Sequence, residues 1–270
     1  MFKQRVITAA CLAPLAVVAI YFLSLPWFAF LIALVAAIGV YEWSAFAALR
    51  GQAARLAYVA VWAVLVWFTW DNPELVRIAL WASLALWIGA LCAVLAYPSS
   101  ERVLHNPVIA GVLGILVLWC AWTAVVALRD LPQGANWLLW GFVLVWGADI
   151  GAYFAGRVFG NVKLAPRVSP GKTWEGVAGG FVLAGVVCGA ALTWAGWLSL
   201  PWVVIFVVLV AVSVLGDLFE SAMKRTAHVK DSGSLLPGHG GVLDRIDAMV
   251  AVMPVLALVL SDEGLALAFE

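Results

Sequence analysis

Charge is what this sequence has least of. Fifteen Lys and Arg and fifteen Asp and Glu are spread over 270 residues, so only 11% of the side chains are charged. A water-soluble globule of this length needs more polar surface than that, which excludes the soluble class. Histidine occurs three times and cysteine four. Cys11, Cys92, Cys120 and Cys188 fall inside apolar runs with no CxxC spacing, so a zinc site or disulfide framework is not expected and all four read as buried small hydrophobes. The formal net charge is zero, so the chain has no bulk attraction to a polyanion and no nucleic-acid partner is expected. A cleaved leader is also not expected. The first apolar run, from about Val6 to Leu25, is long for a signal peptide and lacks a small-residue cleavage pattern before Pro26.

Apolar sequence fills the space that charge leaves: 66% of residues are hydrophobic. A helix crossing the hydrocarbon core needs roughly 20 apolar residues. On that ruler spans fall near 6–25, 27–49, 54–70, 78–97, 107–128, 137–157, 174–198, 201–219 and 246–261, the third and ninth being the shortest. The expected fold is therefore all-α, a polytopic integral membrane helical bundle of about nine transmembrane helices. Trp27, Trp70, Trp137, Trp197 and Trp202 lie near span ends, where indoles favour the headgroup level. With the N-terminus cytoplasmic, 13 Lys and Arg fall inside, and only Arg77 and Arg129 fall outside. Two polar segments, 157–175 and 220–245, then share the cytoplasmic side, and the tail with Asp262, Glu263 and Glu270 lies outside. Residues 1–136 read as a scaffold of N-terminal spans, and 137–270 as a catalytic region built around those two segments.

The remaining charge is concentrated. Asp149, Tyr153 and Arg157 are four apart on one face of span six. A carboxylate within a bilayer faces a bundle interior or a wet cavity; the plainer alternative is a structural ion pair. Next comes Ser169-Pro-Gly-Lys172-Thr173. It lacks the GxxxxGK[ST] spacing and a preceding strand, so it is not a phosphate loop of that kind. Ser169, Lys172 and Thr173 are instead expected at a helix start, where free N–H groups favour anions. The alternative is a capped loop that obeys the positive-inside rule. Asp217, Glu220, Ser221 and Lys224 fall at i, i+3, i+4 and i+7, again on one face.

Asp244 and Asp247 open the ninth span, so Asp217 and Asp244 can converge on one cytoplasmic pocket. Carboxylates without Cys or His suit a hard cation such as Mg²⁺. Between them, Pro237-Gly-His239-Gly-Gly241 supplies backbone able to approach a ligand, with His239 a substrate contact or merely a solvated loop residue. Glu42, in Tyr-Glu-Trp on span two, is given no site role. The chemistry suggested is a reaction among phosphates at the membrane surface.

These residues carry a pattern. Ser221-Ala-Met-Lys224-Arg225, Lys230-Asp231, and Pro237-Gly-His239-Gly-Gly-Val-Leu-Asp244-Arg245-Ile-Asp247 resemble the signature of the phosphatidate cytidylyltransferases, also called CDP-diacylglycerol synthases. Asp149 with Tyr153, Gly156 and Arg157, and Ser169 to Gly176, are similar to two further elements of that family. The resemblance covers 149–247; the N-terminal spans match only in being hydrophobic. It implies an integral membrane enzyme that joins CTP to phosphatidic acid, giving CDP-diacylglycerol and pyrophosphate. It also implies Mg²⁺ dependence, a second, monovalent cation, a homodimer and a place in the bacterial inner membrane. By position, Asp217 and Asp244 match metal ligands. Ser221, Lys224, Arg225 and Lys230 match positions around the phosphates, joined by Arg245. Lys172, Ser169 and His239 are further substrate contacts, and Asp149 and Asp247 are second-tier ligands or orienting groups. A non-enzymatic scaffold would leave the acidic and basic crowding at 217–247 unexplained, and two further rival readings remain at this point. One is a CTP-dependent lipid or polyprenol kinase. The other is a polytopic transporter with Glu42, Asp149 and Asp217 along its path, against which stand the missing repeat and the charge crowded at one face.

Overall fold

The computed structural model describes residues 13–233, 235 and 240–261. His239, Lys3, Arg5, Cys11 and the acidic tail residues Asp262, Glu263 and Glu270 lie outside the described residues. The chain forms α1 (Ala13–Phe22), α2 (Leu25–Trp43), α3 (Gln52–Thr69), α4 (Pro73–Leu95), α5 (Glu101–Leu104), α6 (Pro107–Asp130), α7 (Gly134–Phe159), β1 (Lys163–Ala165), β2 (Ser169–Thr173), α8 (Trp174–Trp194), α9 (Leu200–Thr226), α10 (Leu243–Ile246) and α11 (Met249–Leu260). Seven of the described helices, α2 to α4 and α6 to α9, are long and apolar enough to cross a membrane.

Local sequence starts these helices. Pro73 and Pro107 occupy the first helical turn, where a missing N–H costs nothing. Asn72 accepts from the Leu75 N–H at 3.2 Å, and Asn106 from the Val108 N–H at 3.0 Å, capping α4 and α6. α6 is the central staff, buried on most of its surface, and α2, α3, α4, α7 and α11 pack around it. Its antiparallel pairing with α2 is pinned at both ends. The Trp43 indole donates to the Ala110 carbonyl at 2.8 Å, and the Trp122 indole to that of Ala29 at 3.0 Å. Both bonds satisfy N–H groups that the apolar interior would otherwise strand. Arg129 donates to the carbonyls of Ile20 (2.7 Å) and Leu23 (3.3 Å), closing the end of α1.

α7 and α8 approach most closely, along a seam of small residues. A Cβ on Gly151 would fall on the Gly179 carbonyl, and one on Gly180 would lie 2.7 Å from the Ala148 carbonyl oxygen. Only glycine allows this backbone contact, the device that joins helices where lipid removes the hydrophobic drive. At the far end of the same helices, Trp137 stacks on Trp197 (4.9 Å) and Trp202 (4.8 Å), so three of the expected interfacial tryptophans pack on one another.

Several expectations need correction. Segment 157–175 is not loop throughout: β1 and β2 form an antiparallel hairpin within it, so a strand does precede Ser169, contrary to expectation. Ser169 and Lys172 are strand residues, and Thr173 alone caps α8, its hydroxyl accepting the Gly176 N–H at 3.1 Å. Cys92 is exposed on α4, although Cys120 and Cys188 are buried as expected. α9 runs to Thr226, seven residues past the expected span boundary at 219 and through the expected helical face of Asp217 to Lys224. The ninth span is broken at 247–248, and α11, 12 residues long and holding Pro254, reaches only about 18 Å. That is shorter than the ~30 Å hydrocarbon core, and α11 is largely buried inside the bundle.

Candidate active site

The two polar segments meet at one end of the bundle. The long α9 makes this possible, because no breaker interrupts it before a Schellman turn. There the Val229 N–H bonds to the Lys224 carbonyl at 2.9 Å, and the His228 N–H to that of Arg225 at 3.0 Å. His228 takes the left-handed conformation usual for glycine, with φ 56°. The extra turns carry Glu220, Ser221 and Lys224 on one rigid face with Asp217.

Lys224 sits between two carboxylates. Its Nζ lies 2.6 Å from Glu220 Oε2 and 2.7 Å from Asp244 Oδ1. The other Asp244 oxygen accepts the N–H groups of Gly241 (2.8 Å) and Ser232 (3.0 Å). Burial alone would raise the Asp244 carboxyl. The hydrogen bond and charge of Lys224 and the two N–H groups outweigh it and hold the carboxyl below its ordinary value.

A second pair lies beside the first. Lys172, at the end of the hairpin, reaches Asp217 Oδ2 at 2.6 Å, and Ser221 donates to Asp217 Oδ1 at 3.3 Å. Asp149 is exposed on α7 and faces the charges of Asp217, Lys172 and Arg245. Asp247, at the break after α10, feels Asp217, Glu220 and Asp149, and its Oδ1 accepts the Ala248 N–H at 2.8 Å. Gly216 brings this break against α9: a Cβ there would stand 2.5 Å from the Asp247 carbonyl oxygen.

The structure thus gathers Asp149, Lys172, Asp217, Ser221, Lys224, Asp244, Arg245 and Asp247 around one locus. Other expected residues stand elsewhere. The Arg225 Nε donates to the Val168 carbonyl at 3.3 Å, tying α9 to the hairpin turn. Ser169 is at the start of β2, register partner of Ala165. Lys230 is exposed beyond the Schellman turn. Arg157 donates to the Tyr153 hydroxyl at 2.8 Å on the α7 face foreseen for them.

Two residues escaped the sequence reading. Glu220 was placed on the right face but given no role, although its spacing to Lys224 is that of a helical ion pair. Glu42 was given none, although a carboxylate in an apolar span is a functional candidate by default. Among the described residues no three acidic, His or Cys side chains form a ready metal cage. Two-carboxylate sites completed by a ligand's phosphates need none.

The chain is similar to a phosphatidate cytidylyltransferase of Pseudomonas aeruginosa, 43% identical over 269 residues and 98% of both chains. It is 38% identical to one of Haemophilus influenzae, over 94% of this chain and 96% of that one. One of Bacillus subtilis is 44% identical over 140 residues, half of this chain. The model of the cytidylyltransferase family matches residues 3–261, and with that span and those relatives the chain belongs to the cytidylyltransferase family.

Proposed function

We propose that this chain transfers the cytidylyl group of CTP to phosphatidic acid, forming CDP-diacylglycerol and releasing pyrophosphate. One observation carries the reading: two lysine–aspartate pairs, Lys172–Asp217 and Lys224–Asp244, lie side by side at one end of an apolar bundle. A lipid phosphate oxygen attacks the α-phosphorus of CTP. The new P–O bond forms as the bond to the β-phosphate bridge breaks, and pyrophosphate leaves. The attacking oxygen is already anionic at neutral pH, so the site needs no strong base. It must instead hold two polyanions together, and fixed charge does that.

The donor set fits a divalent cation. Asp149, Asp217, Glu220, Asp244 and Asp247 face Lys172, Lys224 and Arg245, an excess of two negative charges when all are ionised. Glu220 Oε1 is buried without a hydrogen-bond partner among the described residues. Asp217 and Asp244 would hold Mg²⁺, which would supply charge neutralisation to the triphosphate and the leaving pyrophosphate. Lys172 and Lys224 then exchange a carboxylate for phosphate oxygens, and Arg245 faces the same space. Arg225 and Lys230 act from the rim, and Ser169 and His239 are substrate contacts in the same reading. Ser221 orients Asp217. Asp149 and Asp247 position the charged groups they face.

The site faces the cytoplasm of the bacterial inner membrane in this reading, supported by the inward bias of Lys and Arg. A homodimer and a monovalent cation are proposed on the family resemblance alone. Purified protein incubated with labelled CTP and phosphatidic acid tests the function. Mg²⁺-dependent pyrophosphate and CDP-diacylglycerol are expected, and CDP as the nucleotide product would sink the reading in favour of a kinase.

A further inference from the structure

Glu42 belongs to the half of the chain to which the signature assigns nothing. It lies at the end of α2 and is 7% exposed. A carboxylate buried there is costly unless its oxygens are used. Both are. Oε1 accepts the Val242 N–H at 3.0 Å; Oε2 accepts the Leu243 N–H at 2.8 Å and the Ser232 hydroxyl at 3.2 Å. These donors come from the two ends of one segment, 232–243, about two hundred residues away in sequence. Gly233 and Gly241 make room for the contact, because a Cβ on either would collide with the Glu42 carboxylate. The same two ends, through the N–H groups of Ser232 and Gly241, hold Asp244 Oδ2.

We propose that Glu42 is a positioning residue for the transfer reaction, an anchor in α2 that clamps both ends of segment 232–243 and so fixes Asp244 against Lys224. The inference rests on the reading of Asp244 as a cation ligand. Glu42 touches neither Lys224 nor the reacting groups; it acts through the backbone. Its chemistry is specific. Three donors converge on two acceptor oxygens, so glutamine would turn an NH₂ toward a main-chain N–H. Aspartate would fall short by one methylene.

The test uses the full chain in detergent or nanodiscs. In Glu42→Gln without Mg²⁺, hydrogen–deuterium exchange at Val242 and Leu243 should quicken about tenfold or more, as for loss of a hydrogen bond to a charged group. Amides in α6 should exchange as in the parent. In turnover assays the Mg²⁺ concentration for half-maximal rate should rise by about the same factor, saturating Mg²⁺ should restore most of kcat, and KM for phosphatidic acid should hold. A merely structural Glu42 would lower the active fraction and leave the Mg²⁺ requirement unmoved. Unchanged exchange at Val242 and Leu243 overturns the anchor; faster exchange with an unmoved Mg²⁺ requirement overturns its action on the site. If Glu42→Gln does not fold, Ser232→Ala removes one donor of the three and should shift both readouts the same way by about two- to threefold; no shift overturns the proposal. Asp244→Asn separates the two readings: persistent Mg²⁺-dependent turnover in that variant refutes the role of Asp244, whereas the exchange result still judges the clamp.

Discussion

Lys224→Met is the most direct probe of how this site is held together. Methionine keeps most of the side-chain volume and removes the ammonium. Lys224 is 12% exposed, and its partners Glu220 and Asp244 are 3% and 6% exposed, so the group is buried on all sides. Removing its cation leaves two neighbouring carboxylates. Asp244 retains two main-chain donors, whereas Glu220 Oε1 already has none among the described residues. Breaking a buried pair in this way costs about 3–5 kcal/mol, against about 0–1 kcal/mol for an exposed one. At about 2–4 °C per kcal/mol for a chain of this size, Tm should fall by roughly 6–20 °C. Tryptophan fluorescence during heating in detergent reads this directly. Adding Glu220→Gln removes the stranded charge, so the double variant should recover about half of the loss through their coupling. It should stay inactive, because the phosphates still lack their ammonium. A Tm for Lys224→Met within about 2 °C of the parent would refute the argument, since only a solvated pair behaves so. Turnover in the stable double variant would refute the phosphate role of Lys224.

Other perturbations separate the parts of the site. Asp217→Asn should abolish pyrophosphate release with Tm nearly unchanged. The Lys172–Asp217 pair is 25% and 32% exposed, so its loss costs under about 1 kcal/mol; normal turnover would remove Asp217 from the site. Lys172→Met should likewise keep its Tm yet raise KM for CTP several-fold in steady-state assays. On the α7–α8 seam, Gly151→Ala should destabilise by about 1–3 kcal/mol, because the new Cβ meets main chain. Gly189→Ala, which meets nothing within 4 Å, should stabilise by about 0.5–1 kcal/mol in the same thermal assay. Asp244 predicts a pH signature. A carboxyl depressed on folding stabilises above its unfolded value and loses that contribution as pH falls through the folded one. The Tm gap between the parent and Asp244→Asn should stay level from neutral pH to about pH 5 and close below about pH 4; a gap that widens in acid contradicts the assignment.

The long apolar helices were legible because hydrophobic length is a one-dimensional property. Their ends were harder. The charges beginning at Glu220 end the apolar span near 219, while the spacing of Asp217 to Lys224 already implies that the helix continues, and a helix carries charge past the membrane if its C-terminus is capped. Here the cap is His228 in a conformation that sequence habit assigns to glycine. The hairpin was hidden for a related reason: Pro170 and Gly171 sit inside β2, and both are poor strand residues by propensity. Cys92 was misjudged as buried because α4 is apolar on every side, so no period marks the face turned outward.

The carboxylates show where reading by residue type runs out. Asp149 and Glu42 look alike in sequence, each a single acid in an apolar run near a span end. By one rule both are functional candidates. The structure gives them opposite surroundings. Asp149 has side-chain charge around it, from Asp217, Lys172 and Arg245. Glu42 is buried and meets three neutral donors, two of them main-chain N–H groups. With both oxygens engaged by fixed donors at the two ends of segment 232–243, the Glu42 carboxylate is suited to holding structure in place. One that faces ammonium and guanidinium groups can exchange them for a metal or lose them to a phosphate. That difference arises from contacts between segments some two hundred residues apart, so no local pattern encodes it.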